Sequence, residues 1–223
     1  MTKARDSILG RIRAASTGPR ALYGDLPRDY IRRGSLATPD CVALMVERLG
    51  EYDAEVVETT PGALPTAIAA QLSASGRHTF AAPAGLPSDW LASGFTWKLD
   101  NNIDYAAIES ADGVVTASSA GIADSGTIVL HHKPAEGRRV LSLLPDWHLC
   151  ILRATDIVET LPQYFARFPH PPALATYISG PSATADIEMT RIKGVHGPRF
   201  LHVIIVRGET PHDAPHSTKA GTP

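Results

Sequence analysis

The stretch Ser179-Gly180-Pro181-Ser182-Ala183-Thr184-Ala185-Asp186-Ile187-Glu188-Met189, closing with Gly194-Val195-His196-Gly197-Pro198, decides how this chain is read. An apolar run from Leu174 to Ile178 leads into it with the composition of a β-strand, and a second run, Leu201 to Arg207, leaves it. A Gly-Pro pair stands at each end. A strand that stops at glycine lets the backbone come close to a ligand, and exposed amides at a following helix start attract anions. In open α/β sheets, ligands sit off the carboxyl ends of strands. The same residues also fit plain capping, with Ser182 or Thr184 as N-cap and Asp186 and Glu188 in a first helical turn. Spacing alone leaves both readings open.

Working outward, 223 residues with 43% hydrophobic and 20% charged content suit one globular domain with a small appendage. The formal net charge of −2 gives no global field for nucleic acid, and the three Trp are not interleaved with basic residues, so nucleic acid is not expected as a partner. Charge is uneven. Residues 1–33 hold eight basic side chains (Lys3, Arg5, Arg11, Arg13, Arg20, Arg28, Arg32, Arg33) against Asp6, Asp25 and Asp29, a local +5 that leaves −7 for the rest. This basic N-terminal extension is either a docking arm or a solvated face. No apolar run reaches the roughly 18 residues of a membrane span. Charges at Lys3, Arg5 and Asp6 stand where a signal sequence needs an apolar stretch, so the expected location is the cytoplasm, with no membrane partner. The two cysteines, Cys41 in a helical pattern and Cys150 in an apolar strand, read as small buried hydrophobes. They are too few to hold an iron-sulfur cluster.

Periodicity predicts helices over Ser7 to Ala15, Thr38 to Gly50 (proline at its start) and Leu64 to Ser75, with a short one from Ser88 to Leu91. Strands are expected at Glu55 to Val57, Arg77 to Ala82, Asp112 to Ala117, Gly126 to Leu130 and Trp147 to Leu152. A further helix is expected from Asp156 through Val158, Leu161 and Phe165, kinked at Pro162. Strands alternating with helices mark a layered α/β domain, placed at residues 34–207. Residues 208–223, rich in proline and without an aliphatic stripe, read as a disordered tail.

Ala123-Asp124-Ser125-Gly126-Thr127 sets a carboxylate and two hydroxyls around a glycine just before an apolar strand. Asp124 there could serve as base, nucleophile or ligand orienter, or the segment could be a simple turn. The nine histidines lack metal-ligand spacing: His131 and His132 point to opposite faces of a strand, and His212 and His216 lie in the proline-broken tail. No metal is expected. No G-x-S-x-G elbow, P-loop or G-x-G-x-x-G fingerprint occurs.

Together the runs Ile122 to Leu130, Leu144-Pro145-Asp146-Trp147-His148, and Ser179 to Glu188 through Gly194 to Pro198 closely resemble the LUD-domain family, in its lactate-utilisation protein C branch. The resemblance covers residues 30–207. It implies a three-layer α/β fold, a mixed sheet flanked by helices, of the type shared by ribose-phosphate isomerases, glucosamine-phosphate isomerases (NagB/RpiA-like) and CoA transferases. It implies a non-redox component of L-lactate oxidation to pyruvate, with no cofactor in this chain and iron-sulfur clusters on sister proteins as partners. The family commonly has Glu-Thr-Gly-Thr where this chain has Asp124-Ser125-Gly126-Thr127, a carboxylate one methylene shorter. That favours ligand contact over covalent catalysis. A stand-alone isomerase- or CoA-transferase-like enzyme and a ligand-sensing regulatory module are the alternatives. The expected site for a small anion is Asp124 as the catalytic candidate, with Ser125, Gly126, Thr127, Ser179, Gly180, Ser182, Thr184, Asp186, Glu188 and His196 binding ligand.

Overall fold

A computed structural model of the chain describes residues 2–16, 22–27, 29, 31, 34–184, 192–193 and 197–208. It divides into two compact units, Met1–Ile31 and Arg32–Pro223. The first holds helix α1 (Thr2–Ala15), which begins five residues before the expected Ser7, and a single 3-10 turn at Tyr23–Asp25. Asp186, Glu188, His196 and all but the first residue of the expected disordered tail lie outside the described residues.

The second unit runs α2 (Thr38–Glu51), β1 (Glu55–Thr59), α3 (Leu64–Ala74), β2 (Thr79–Pro83), β3 (Thr96–Asp100), α4 (Tyr105–Glu109), β4 (Gly113–Ala117) and β5 (Ala120–Ile122). It continues with β6 (Thr127–Leu130), β7 (Trp147–Arg153), β8 (Ile157–Val158), α5 (Leu161–Arg167), β9 (Thr176–Ser179), β10 (Ala183–Thr184), β11 (Ile192–Lys193) and β12 (Phe200–Val206). Six strands form a wholly parallel sheet in the order β1-β12-β7-β4-β2-β3. A second sheet, β8-β5-β6-β9, carries the mixed directions, with β6 antiparallel to both neighbours.

Strand periodicity builds the layers. Along β7, Trp147, Leu149 and Ile151 join the core under α3, with Leu64, Ile68 and Leu72, while Cys150 and Leu152 join the core under α2. Along β12, Ile204 and Val206 face the α3 side, and Leu201, Val203 and Ile205 the α2 side. Successive side chains leave a strand on opposite faces, so a continuous apolar run is what a sheet covered on both sides requires. The α2 core also takes Ile128 and Leu130 from β6. The outer face of the second sheet, through Ile122 and Val129, is covered by Tyr164 of α5. The resulting order is α3, parallel sheet, α2 with the mixed sheet, then α5.

Some expectations fail for local reasons. The helix expected from Asp156 starts only at Leu161, because Ile157 and Val158 pair with β5 first. Thr160 then caps the helix in a capping box with Gln163, and Pro162 falls in the first turn, where its missing N–H leaves no bond unmade, so it does not kink. Strands β3 and β5 and helix α4 are short and were not foreseen.

Leu152→Ala should lower stability by about 2–5 kcal/mol, because the side chain is fully buried between α2 and both sheets. Leu161→Ala, at a position 47% exposed, should change it by about 0.5 kcal/mol or less. Urea unfolding of the two variants checks the contrast.

Candidate functional site

Both turns singled out in the sequence dock on the end of α2. Gly126 has φ +59°, and a Cβ there would lie 2.8 Å from Arg48 Cβ. Gly180 has φ +81°, and a Cβ there would lie 2.5 Å from Tyr52 Cβ. Arg48 and Tyr52 are four residues apart, one turn along the same edge of the helix end. The glycines are therefore needed by the left-handed backbone and by the close approach to α2. Arg48 itself is held by Glu51 at 2.7 Å, which raises its pKa, with Asp124 a smaller contributor.

The two turns also meet each other. Thr127 and Ser179 are Cα partners in the antiparallel pairing of β6 with β9. Thr127 Oγ1 lies 2.8 Å from Ser125 Oγ and 2.7 Å from Ser179 Oγ, a chain of three hydroxyls in which each bond can run either way. Beyond Ser179, the Ser182 N–H donates to the Pro198 carbonyl at 2.8 Å, tying the two Gly-Pro turns together.

A cavity of about 190 Å³ lies beside these turns. Its lining includes Ser179, Gly180, Pro181, Ser182, Gly197 and Pro198, with Arg139, Ser142, His148 and Thr176. Hydroxyls and one guanidinium around so small a space suit a small anion. His148, the second residue of β7, is fully buried, and its Nε2 lies 2.8 Å from Thr116 Oγ1. Burial lowers its pKa from the usual 6.5 to about 4, so the ring is neutral near pH 7.

Of the expected site residues, Ser179, Gly180 and Ser182 line the cavity, and Ser125 and Thr127 reach it through the hydroxyl chain. Thr184 lies in β10, one pairing position from the Ala183–Lys193 partners. Asp124 is exposed, is not among the lining residues, and its backbone N–H donates to the Glu159 carbonyl at 2.9 Å. Arg139, Ser142 and His148 were not expected here. The Arg138-Arg139 pair was the only signal for the first, and His148 stood out only as the end of the Leu144-Pro145-Asp146-Trp147-His148 run, with no sign of its polar partner. The partner, Thr116, lies on β4, a contact that strand order rather than spacing creates. Among the described residues, no three His, Cys, Asp or Glu side chains gather as a metal-ligand set.

A family model described as the LUD domain matches residues 45–206. The chain is 34% identical to the lactate utilization protein C of Deinococcus radiodurans over 92% of its own length and 100% of that protein. It is 32% identical to the Bacillus subtilis protein of the same name, over 91% and 95% of the two chains. A crystal structure of a DUF162 family protein from Deinococcus radiodurans superposes with a TM-score of 0.64 at 32% identity, covering 77% of this chain and 99% of that one.

Gly180→Ala should cost about 1–2 kcal/mol from the left-handed backbone alone, before any clash with Tyr52, read by urea unfolding. The depressed pKa of His148 fixes the sign of a pH effect. Between about pH 4 and 6.5 the unfolded chain binds the proton that the folded one refuses, so stability is complete above 6.5 and is lost as pH falls toward 4. The contribution is on the order of 3 kcal/mol. His131 and His202, also lowered by burial, add in the same direction. Stability of His148→Gln, measured at several pH values, should be less steep over this window than that of the parent.

Proposed function

The chain belongs to the LUD-domain family, and from that premise we propose that it is a non-redox component of lactate utilisation. In this reading it acts with iron-sulfur sister proteins that oxidise L-lactate to pyruvate. The observation that carries the lactate role is the end-to-end match to proteins named lactate utilization protein C, which spans 100% of the Deinococcus relative.

The chemistry of this chain's own residues supports the division of labour. Cluster ligation requires several thiolates. The sequence has two cysteines, both buried in the α2 core. Burial pushes the Cys150 thiol up to about 12 and raises that of Cys41 as well, so both remain protonated. What the chain offers instead is anion chemistry. Arg139 supplies the cation, Ser142, Ser179 and Ser182 supply hydroxyls, and neutral His148 stands at the back of the same cavity. About 190 Å³ has room for a three-carbon acid such as lactate or pyruvate. Asp124, exposed and absent from the lining, acts as a polar brace at the end of α2 in this reading.

Co-expression of the tagged chain with its two iron-sulfur sister proteins tests the assembly. The proposal expects both to be recovered with the tag under gentle conditions. Lactate oxidation by the two sisters alone, at the rate of the three together and with no complex formed, would overturn it.

A further inference from the structure

A second cavity, of about 440 Å³, adjoins the serine-lined one and shares only Arg139 with its lining. It lies where Pro83 ends β2 and Asp100 ends β3. Parallel α/β sheets place ligands at this carboxyl edge.

The loop from His132 to Arg139 forms most of the wall, and the protein itself holds it in shape. The Ala117 N–H donates to the Ala135 carbonyl at 3.0 Å, and the N–H groups of Glu136 and Gly137 both donate to the Lys133 carbonyl at 2.9 Å. Glu136 is 3% exposed, and its carboxylate accepts from Ser119 Oγ at 2.5 Å and from the His131 backbone N–H. Its negative charge is thus spent inside the loop's anchor, outside the cavity lining. His132 has φ +58°, a left-handed backbone that costs most side chains about 1–2 kcal/mol. Its Nδ1–H donates to the Gly137 carbonyl at 2.8 Å, and its Nε2 lies 2.9 Å from Thr176 Oγ1, which together hold it there. Backbone strain of this kind gathers at ligand clamps.

Charge selects the ligand. Three cations and one carboxylate belong to the lining: Lys133, Arg138, Arg139 and Asp100. Arg138 grips Asp100 with two bonds, at 2.8 and 2.6 Å, and spends a further N–H on the Ile103 carbonyl at 2.8 Å, so that pair is internally neutral. Lys133 and Arg139 remain, both exposed and without an ion pair among the described residues. Two unpaired positive charges on one cavity repel each other, and an anion carrying two negative charges relieves that repulsion where a monoanion relieves half of it. Pro83, Ala84 and Leu174 add an apolar surface beside them.

We infer that this cavity binds a phosphate monoester with a small apolar body. The phosphoryl group sits between Lys133 and Arg139, and the body lies against Pro83 and Leu174. The site goes beyond the lactate reading and needs only Arg139 in common with it.

Calorimetric titration of the full chain with phenyl phosphate, at fixed ionic strength and pH 7.5, tests the site. At that pH the phosphate, with a second pKa of about 6, carries close to two charges. One site per chain is expected, with benzoate, a monoanion on the same ring, and inorganic phosphate, which lacks the ring, both binding more weakly. Lys133→Gln and Arg139→Gln should each weaken phenyl phosphate about tenfold or more, the scale of one lost charge-assisted contact. Both side chains are exposed, so the variants keep the fold, which unfolding curves verify. A loss in Arg139→Gln with none in Lys133→Gln would put the probe in the serine-lined cavity and overturn the inference. Absence of saturable binding, or benzoate or inorganic phosphate binding as tightly as phenyl phosphate, would overturn it too.

Discussion

Two-sided burial of β7 and β12 is the constraint on which the remaining structure depends. These neighbouring strands, paired from Phe200 with Trp147 to Val206 with Arg153, have apolar side chains on both faces. Neither face can be left to water, since each buried aliphatic side chain is worth about 1.5–3 kcal/mol. One face requires α3. The other requires α2 and the mixed sheet together, and that demand brings β6 and β9 over the sheet. The site turns extend from those two strands, so core formation and site formation are one event.

The end of α2 then sets the position of both turns. Gly126 packs against Arg48 and Gly180 against Tyr52, leaving the Ser125, Thr127 and Ser179 hydroxyls in a single hydrogen-bonded line. A side chain at either glycine would push its turn away from the helix and break that line. The shape of the small cavity thus rests on how its turns pack against the end of α2. The same economy operates at the carboxyl edge, where the loop carrying Glu136 is stitched to the end of β4 by one backbone bond.

Much of this was legible in the sequence, and the gaps have physical causes. The alternating order of elements, the helices α2 and α3, and the strands β7 and β12 follow from long apolar patterns that only one kind of element satisfies. Ser179, Gly180 and Ser182 stood out because hydroxyls clustered at a Gly-Pro turn are an unusual local signal, and all three line a cavity. Asp124 was misplaced: nothing in Asp-Ser-Gly-Thr says which side of the turn faces the cavity and which faces solvent. The glycines were read as making room for a ligand, whereas they make room for a helix, a contact that needs the tertiary structure to be seen. His148 and Glu136 were missed because their partners, Thr116 and Ser119, are 32 and 17 residues away. Their burial comes from strand order, which spacing does not encode.

A small organic anion is proposed to sit in the serine-lined cavity beside Arg139. Calorimetric titration of the purified chain with L-lactate and with pyruvate tests it most directly. One site per chain is expected for at least one of the two acids, weakened about tenfold or more in Arg139→Glu while the unfolding curve stays unchanged. Absence of binding heat for both acids, or binding that Arg139→Glu leaves untouched, would contradict it.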